Sequence, residues 1–400
     1  MSTHFLRFPG EILLEIYKYL SNAQIFVSFY GLNERLDQCI RAHCQHLSLA
    51  DLAVQQFHWF CRVILPQFGT QIRSLLLSDC RSVLEGKCFL DYFANNMSTV
   101  FPNLERIKLD CFTADELNQF LQSLNNLVYL HEIEIPGLLT DQPNLLEIVS
   151  QSNQNRFSLM KFKANTFTFP AEPCFNIRQL TICLPTLNKL SDLFKVVPHV
   201  QDLDITIEEI SMLGADYDDV LPLQYLTKFF LRCYHHFWTI EEVEALLKIL
   251  PILKSFSLQI STQDNDLINT EHLSKILPTT LVEFNFSTRY FYDSIDEIDR
   301  DSLLKFHFPI VCLVDENLQQ AFLHTIPYRF PLLKISSPMA KQMSTYQNYQ
   351  HVEMFYENHG MTLAESLPIV SRCRRVKEIS IQLYDKVVPS EPSRYAFEIR

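Results

Sequence analysis

Two hydrophobic periods divide the chain. Near the N-terminus the apolar positions fall four apart. Ile12, Ile16 and Leu20 recur at helical spacing with Leu13 and Tyr17 beside them, which is one stripe of an amphipathic helix. Pro9 sits where that helix starts, because the N–H it lacks is already an orphan there, and Glu11 follows in the first turn, where the helix dipole favours an acid. A second helix is predicted over 22–30, with Asn22 as N-cap and Ile25, Phe26 and Phe29 apolar. A third opens near Asn33 and carries Leu36 and Ile40 four apart.

Beyond residue 70 a different pattern recurs: an apolar residue, two others, an apolar, one other, an apolar. It reads Ile72-Leu75-Leu77, Leu104-Ile107-Leu109, Leu130-Ile133-Ile135, Leu159-Phe162-Ala164, Ile177-Leu180-Ile182 and Val200-Leu203-Ile205. It continues as Leu226-Phe229-Leu231, Leu253-Phe256-Leu258, Leu281-Phe284-Phe286 and Leu303-Phe306-Phe308, with a last copy at Val376-Ile379-Ile381. Each copy predicts a short alternating strand. Helical segments precede several and stop at or near a proline, as in 239–247 before Pro251, 269–277 before Pro278 and 187–197 before Pro198. A strand and a helix repeating with a period in the twenties build a solenoid.

Side chains alternate along a strand, so the third and fifth positions of each copy face away from the apolar ones. Those outward positions come in charge blocks: Arg106 and Lys108, Glu132 and Glu134, Lys161 and Lys163, Asp202 and Asp204, then Lys228 beside Phe230 with Arg232 beyond. One reading is a target-binding face with Phe230 as an apolar anchor among cations. The other is a solvated strand exterior, which is polar for solubility alone.

Residues 5–45 resemble the F-box, the short helical module that docks substrate receptors onto the Skp adaptor of a cullin-type ubiquitin ligase. The residues that carry the resemblance are Pro9-x-Glu11-Ile12, the close at Tyr19-Leu20, and Phe29-x-x-Leu32-Asn33-x-Arg35-Leu36. It implies that Pro9, Glu11, Ile12, Leu13, Ile16, Leu20, Leu36 and Ile40 contact an adaptor. The alternative is that the helices cap one end of a larger fold. About 40 residues bury too little to stand alone, and a partner groove is an economical place for the surplus apolar surface. The later copies are similar to leucine-rich repeats, though degenerate. That family places Asn or Cys three residues after the third apolar position, and here Cys80 alone fits. The other copies put Phe112, Leu138, Phe167, Pro185, Glu208, Tyr234, Ser261, Arg289 and Tyr384 there, so the polar ladder is missing and the many phenylalanines are expected to fill the core.

The predicted architecture is therefore α/β: a three-helix F-box-like unit at 1–46, a helical linker at 47–70, and an irregular leucine-rich-repeat-like array at 71–308. An atypical insertion or terminal unit follows at 309–375, then a last strand and tail at 376–400. Formal charge is −12, which argues against a nucleic-acid partner, since that needs a basic face. Glycine numbers 7, and no two lie close enough for a phosphate-binding loop. No stretch is long and apolar enough for a membrane span, and Arg7, Glu11, Glu15 and Lys18 break any apolar leader. The 11 cysteines are scattered without a C-x-x-C pair and are expected to be reduced thiols in a cytoplasmic or nuclear protein.

Candidate chemistry is sparse. His131-Glu132 opens a zincin-like pattern that fails at Ile135. Cys39, His43, Cys44 and His46 cluster but lack a second metal-binding pair. The acidic run from Asp293 to Asp301 lacks the glycine of a calcium loop, and His235 and His236 are adjacent on extended chain and point apart. No metal, cofactor or catalytic residue is expected. The resemblance implies a non-enzymatic substrate receptor that joins a Skp-type adaptor and cullin to a protein target. An interaction scaffold outside any ligase is the alternative, and an enzyme on an unrecognised α/β fold is a third.

Overall fold

The computed structural model describes residues 9–50, 52–78, 85–138, 145–151, 157–163, 168–208, 216–295, 298, 303, 308–330, 333–342, 351–356, 378–383 and 393–398. They form two compact units, residues 1–185 with 192–203 and residues 186–191 with 204–400. The whole is a mixed α/β protein rich in parallel strand pairs.

In the first unit the three N-terminal helices are α1 (Gly10–Tyr17), α2 (Asn22–Phe29) and α3 (Glu34–His43). Pro9 caps α1, and Asn33 caps α3 by accepting from the Leu36 N–H at 2.8 Å. The cap of α2 differs from the prediction. It is Ser21, in a reciprocal box with Gln24, while the Asn22 amide donates instead to the His46 carbonyl. A hydroxyl one residue earlier reaches the third helical N–H and Gln24 reaches back, so two orphan donors are satisfied at once.

Six strands follow in parallel register: β1 (His46–Ser48), β2 (Ser74–Ser78), β3 (Arg106–Asp110), β4 (Glu132–Ile135), β5 (Leu159–Lys163) and β6 (Gln179–Leu184). The ladder thus begins at His46, the last residue of the segment read as the F-box-like unit, and β1 runs into the segment expected to be a helical linker. The helical part of that segment is α4 (Val54–Trp59), a π-helical stretch (Phe60–Ile64) and α5 (Leu65–Phe68). Parallel neighbours need a long return connection, supplied here by α6 (Glu85–Phe93), α7 (Met97–Val100), α8 (Ala114–Ser123) and α9 (Leu145–Gln151). The repeat positions Ile72, Leu75, Leu77, Leu104, Ile107, Leu109, Leu130, Ile133, Ile135, Ile177, Leu180 and Ile182 are all buried. The fourth copy is displaced. Met160, not Phe162, pairs with Ile133, so its apolar positions are Phe157-Met160-Phe162. The competing Leu159 lies one residue off the inward parity.

Phenylalanine fills the helix side. Phe89 stacks on Phe120 at 5.5 Å and on Phe101 at 6.0 Å. Phe112, which occupies a missing ladder position, is buried and bridges to Leu138.

Strand β7 (Asp202–Ile207) follows helix α10 (Lys189–Val196). In the second unit β8 (Lys228–Phe237), β9 (Ser255–Thr262) and β10 (Glu283–Phe291) are parallel, with α11 (Ile240–Lys248), α12 (Asn265–Ile268) and α13 (Thr270–Ile276) between them. Thr239 caps α11 in a box with Glu242. Phe229 and Phe256 stack at 5.8 Å, and Phe256 meets Phe284 at the same separation.

Segment 309–375, read as an atypical unit, opens with a hairpin, β11 (Ile310–Asp315) and β12 (Gln320–Thr325), and β12 adds antiparallel to β10. The next strands form a sheet of their own in the order β13 (Leu333–Ser336), β14 (His351–Tyr356), β15 (Glu378–Leu383) and β16 (Ser393–Glu398). The last repeat copy therefore belongs to that sheet rather than closing the array, and part of the expected tail is strand β16. The tenth copy lies mostly outside the described residues. Among the described residues no helix is long and apolar enough to cross a membrane.

Candidate interaction faces

The first face is on α1. Leu13 and Tyr17 are the buried pair of that helix, with the Tyr17 ring 5.5 Å from Phe29 and 5.7 Å from His43. Burial pushes the Tyr17 phenol up to about 12. One position round the helix, Ile12 is 45% exposed and Leu14 39%. Ile16 and Leu20 are half-buried, and Pro9 and Glu11 are exposed. Tyr19, Val27 and Leu32 extend the exposed apolar set.

Three of the expected contact residues are not on this surface. Leu13, Leu36 and Ile40 are interior, because they are the knobs that close the three helices on one another. The surplus apolar surface expected for 1–46 is also partly covered from within. Phe26 packs edge-on against Phe60 at 5.7 Å and Phe68 at 5.1 Å, and the Tyr30 hydroxyl donates to Gln67 at 2.7 Å. Spacing alone could not show that 54–71 folds back onto α2.

The His/Cys cluster is divided by the same packing. Cys44 is buried and its thiol is pushed up to about 12 by desolvation, while His46 opens β1 and is exposed. Among the described residues no three His, Cys, Asp or Glu side chains form a metal-holding group.

The second face is the outward side of the strands. In the first unit its charges meet across the ladder. Arg106 pairs with Glu132 at 2.9 Å and Lys108 with Glu134 at 2.6 Å, each pair in direct register on β3 and β4. Lys161 stands opposite Glu134 on the next strand, and the side chain of Lys163, at the end of β5, lies outside the described residues. The blocks alternate in sign from strand to strand, so they match one another. Arg73 and Glu105 add a further pair at 2.8 Å just before the strands begin. Asp202 and Asp204 lie half-buried on β7 and Lys228 is exposed at the start of β8.

In the second unit the expected anchor is covered. Phe230 is half-buried and meets Phe330 at 5.5 Å. Phe330 belongs to a strap after β12, with Tyr328 5.2 Å away. Tyr328 Oη accepts from Gln259 Nε2 at 3.2 Å, and Arg329 pairs with Glu283 at 3.0 Å. Arg232 stacks over Phe230 at 4.9 Å and donates to Gln259 Oε1 at 2.9 Å and Thr206 Oγ1 at 3.2 Å. Phe230 and Arg232 are thus built into the strapped face rather than open to a target. Tyr328 also meets the His324 ring at 5.1 Å, and Gln259, Asn285, Ser287 and His324 are all buried. Burial lowers His324 to about 4, against a hydrogen-bonding contribution from Thr325 that raises it. Tyr234, beyond Arg232, is pushed up to about 12 by burial, with Arg289 and Arg232 pulling the other way. The aromatic density of 322–330 was visible in the sequence, but its fold-back over β8 to β10 was not.

The expectation of reduced thiols fails at one position. Cys111 is disulfide-bonded, and since Cys39, Cys44, Cys61, Cys88, Cys174, Cys183, Cys233 and Cys312 are free, its partner lies outside the described residues.

No family model matches the chain, and no curated protein matches it. Among solved structures 11 chains match. One, the crystal structure of a TLR13–ssRNA13 complex, is 10% identical with a TM-score of 0.29, covering 80% of this chain and 34% of that one. The chain therefore spans about a third of the length of that neighbour.

Proposed function

We propose that this protein is a non-enzymatic receptor that docks a Skp-type adaptor, and through it a cullin, with α1, and holds a protein target on the strand face. The observation that carries the reading is the outward stripe of α1. Pro9, Ile12, Ile16 and Leu20 present apolar surface although Leu13 and Tyr17 already satisfy the helix's own core. An apolar strip left over after the interior is filled is the kind of surface a partner groove covers. The F-box resemblance supplies the partner's identity. For the target, the open part of the strand face is the charge ladder at Arg106 to Lys161, not the strapped region at Phe230.

A second reading is favoured by the packing of Phe26 on Phe60 and Phe68 and by the pairing of β1 with β2. Helices fused so closely to the first strand also suit a capping unit of a repeat array, which needs one polar and one docking side. Affinity purification of the tagged chain separates the two. Co-purification of adaptor and cullin, lost on Ile12→Asp with Ile16→Asp, supports the receptor. Absence of both proteins from the wild-type eluate leaves the cap.

A further inference from the structure

Away from both faces, the first unit gathers a cysteine, a histidine, a tyrosine and an arginine. Cys88 lies in the first turn of the nine-residue helix α6 and is half-buried. Its Sγ is 3.5 Å from His58 Nδ1 and 4.0 Å from Nε2. The same Nδ1 is 3.4 Å from the Tyr92 hydroxyl, whose oxygen accepts from Arg62 Nε at 2.8 Å. His58 is carried on α4, directly before the π-helical stretch that holds Arg62, and local widening of a helix of this kind often accompanies a functional side chain.

We propose that Cys88 is a reactive thiol, activated by His58 and modified by hydroperoxides. Two features act in one direction: the imidazole takes the thiol proton, and the Arg62 guanidinium adds positive charge through Tyr92. In the reaction the Cys88 thiol gives its proton to His58. The thiolate lone pair attacks the distal peroxide oxygen, an S–O bond forms and the O–O bond breaks. The departing oxygen takes the imidazolium proton. Sulfur loses two electrons and the peroxide gains them, giving a sulfenic acid and water (or an alcohol). Cys44 and Cys233 stand in contrast, buried with thiols pushed up by desolvation. Charged and titratable groups on the elements around the thiol, among the described side chains, are His58 on α4, Cys61 and Arg62 on the π-helical stretch, Lys87, Asp91 and Tyr92 on α6, and Asp115 and Glu116 on α8; β2 carries none.

The test uses the full chain, a limiting pulse of hydrogen peroxide at neutral pH, and dimedone trapping read residue by residue by mass spectrometry. Cys88 should be trapped at least tenfold faster than Cys39, Cys174 and Cys312, the other half-buried free thiols. His58→Gln should slow Cys88 at least tenfold and leave the other three unchanged. If that variant does not fold, iodoacetamide labelling of the wild type across pH decides. An alkylation midpoint for Cys88 well below the ordinary thiol value of about 8.5 supports the proposal. Labelling of Cys88 at the rate of Cys39, or an ordinary midpoint, overturns it.

Discussion

Reversing Lys108 to glutamate tests whether the strand-face charges form a ladder. Lys108 Nζ lies 2.6 Å from Glu134, with the two side chains 35% and 27% exposed. Pairs this close to water contribute about 0.5–1 kcal/mol, and a like-charge contact costs a similar amount, so Lys108→Glu should lose roughly 1–2 kcal/mol at low salt. The structure makes a further demand. Glu134 also faces Lys161, so Lys108→Glu with Glu134→Lys repairs one contact and creates a lysine–lysine contact on the other side. Recovery should be partial in that double variant and complete only when Lys161→Glu is added. Urea unfolding followed by far-UV circular dichroism gives the series, and the coupling is the non-additive part. The differences should shrink in about 1 M salt, where the screening length falls to about 3 Å. Unchanged unfolding of the single variant at low salt, or a triple variant no better than the single, would refute the ladder.

Gly69→Ala should destabilise by about 1–3 kcal/mol in urea unfolding, because a Cβ there would lie 2.5 Å from the Val100 carbonyl oxygen; an unchanged midpoint would refute that close approach. Phe330→Ala should cost about 3–5 kcal/mol, the usual loss for a buried phenylalanine, and should raise the protease sensitivity of the 326–330 strap, measured by limited proteolysis. His324 falls from 6.5 to about 4 on folding. Its contribution is therefore full above about pH 6.5, is lost as pH drops toward about 4 because the unfolded chain binds the proton first, and is flat below; the total is about 3 kcal/mol. A His324→Gln variant should show a shallower loss of unfolding free energy across that window than the wild type.

Much of the array was legible because its inward positions are strictly periodic. A strand with apolar residues at every second place has one arrangement that buries them. From Ile72 to Phe286 that rule located all but one copy correctly, and the exception at Leu159 came from an extra leucine that made two registers plausible. The helix starts near Asn33, Thr239 and Asn269 were readable from segment boundaries, and each of these residues caps its helix, whereas the one cap assigned, Asn22, lay one residue past the true cap Ser21. Long-range closure was not readable. Nothing in 322–330 states that Tyr328 and Phe330 fold back onto Gln259 and Phe230, and nothing in 54–71 states that Phe60 and Phe68 cover Phe26. The charge blocks were visible as a pattern, but whether they await a partner or satisfy one another depends on register. His58 and Cys88 are brought together only by the packing of α6 on the preceding helix.

Titration of a purified Skp-type adaptor into the purified chain measures the central claim most directly. The wild type should bind with a fitted stoichiometry of about one, and Ile12→Asp with Ile16→Asp should weaken binding at least a hundredfold, since each large apolar side chain buried at an interface contributes about 1.5–3 kcal/mol. The Lys108→Glu variant should bind the adaptor like the wild type, because its change lies on the strand face. No heat of binding from the wild type, or equal affinity for the α1 variant with an unchanged circular dichroism spectrum, would contradict the account.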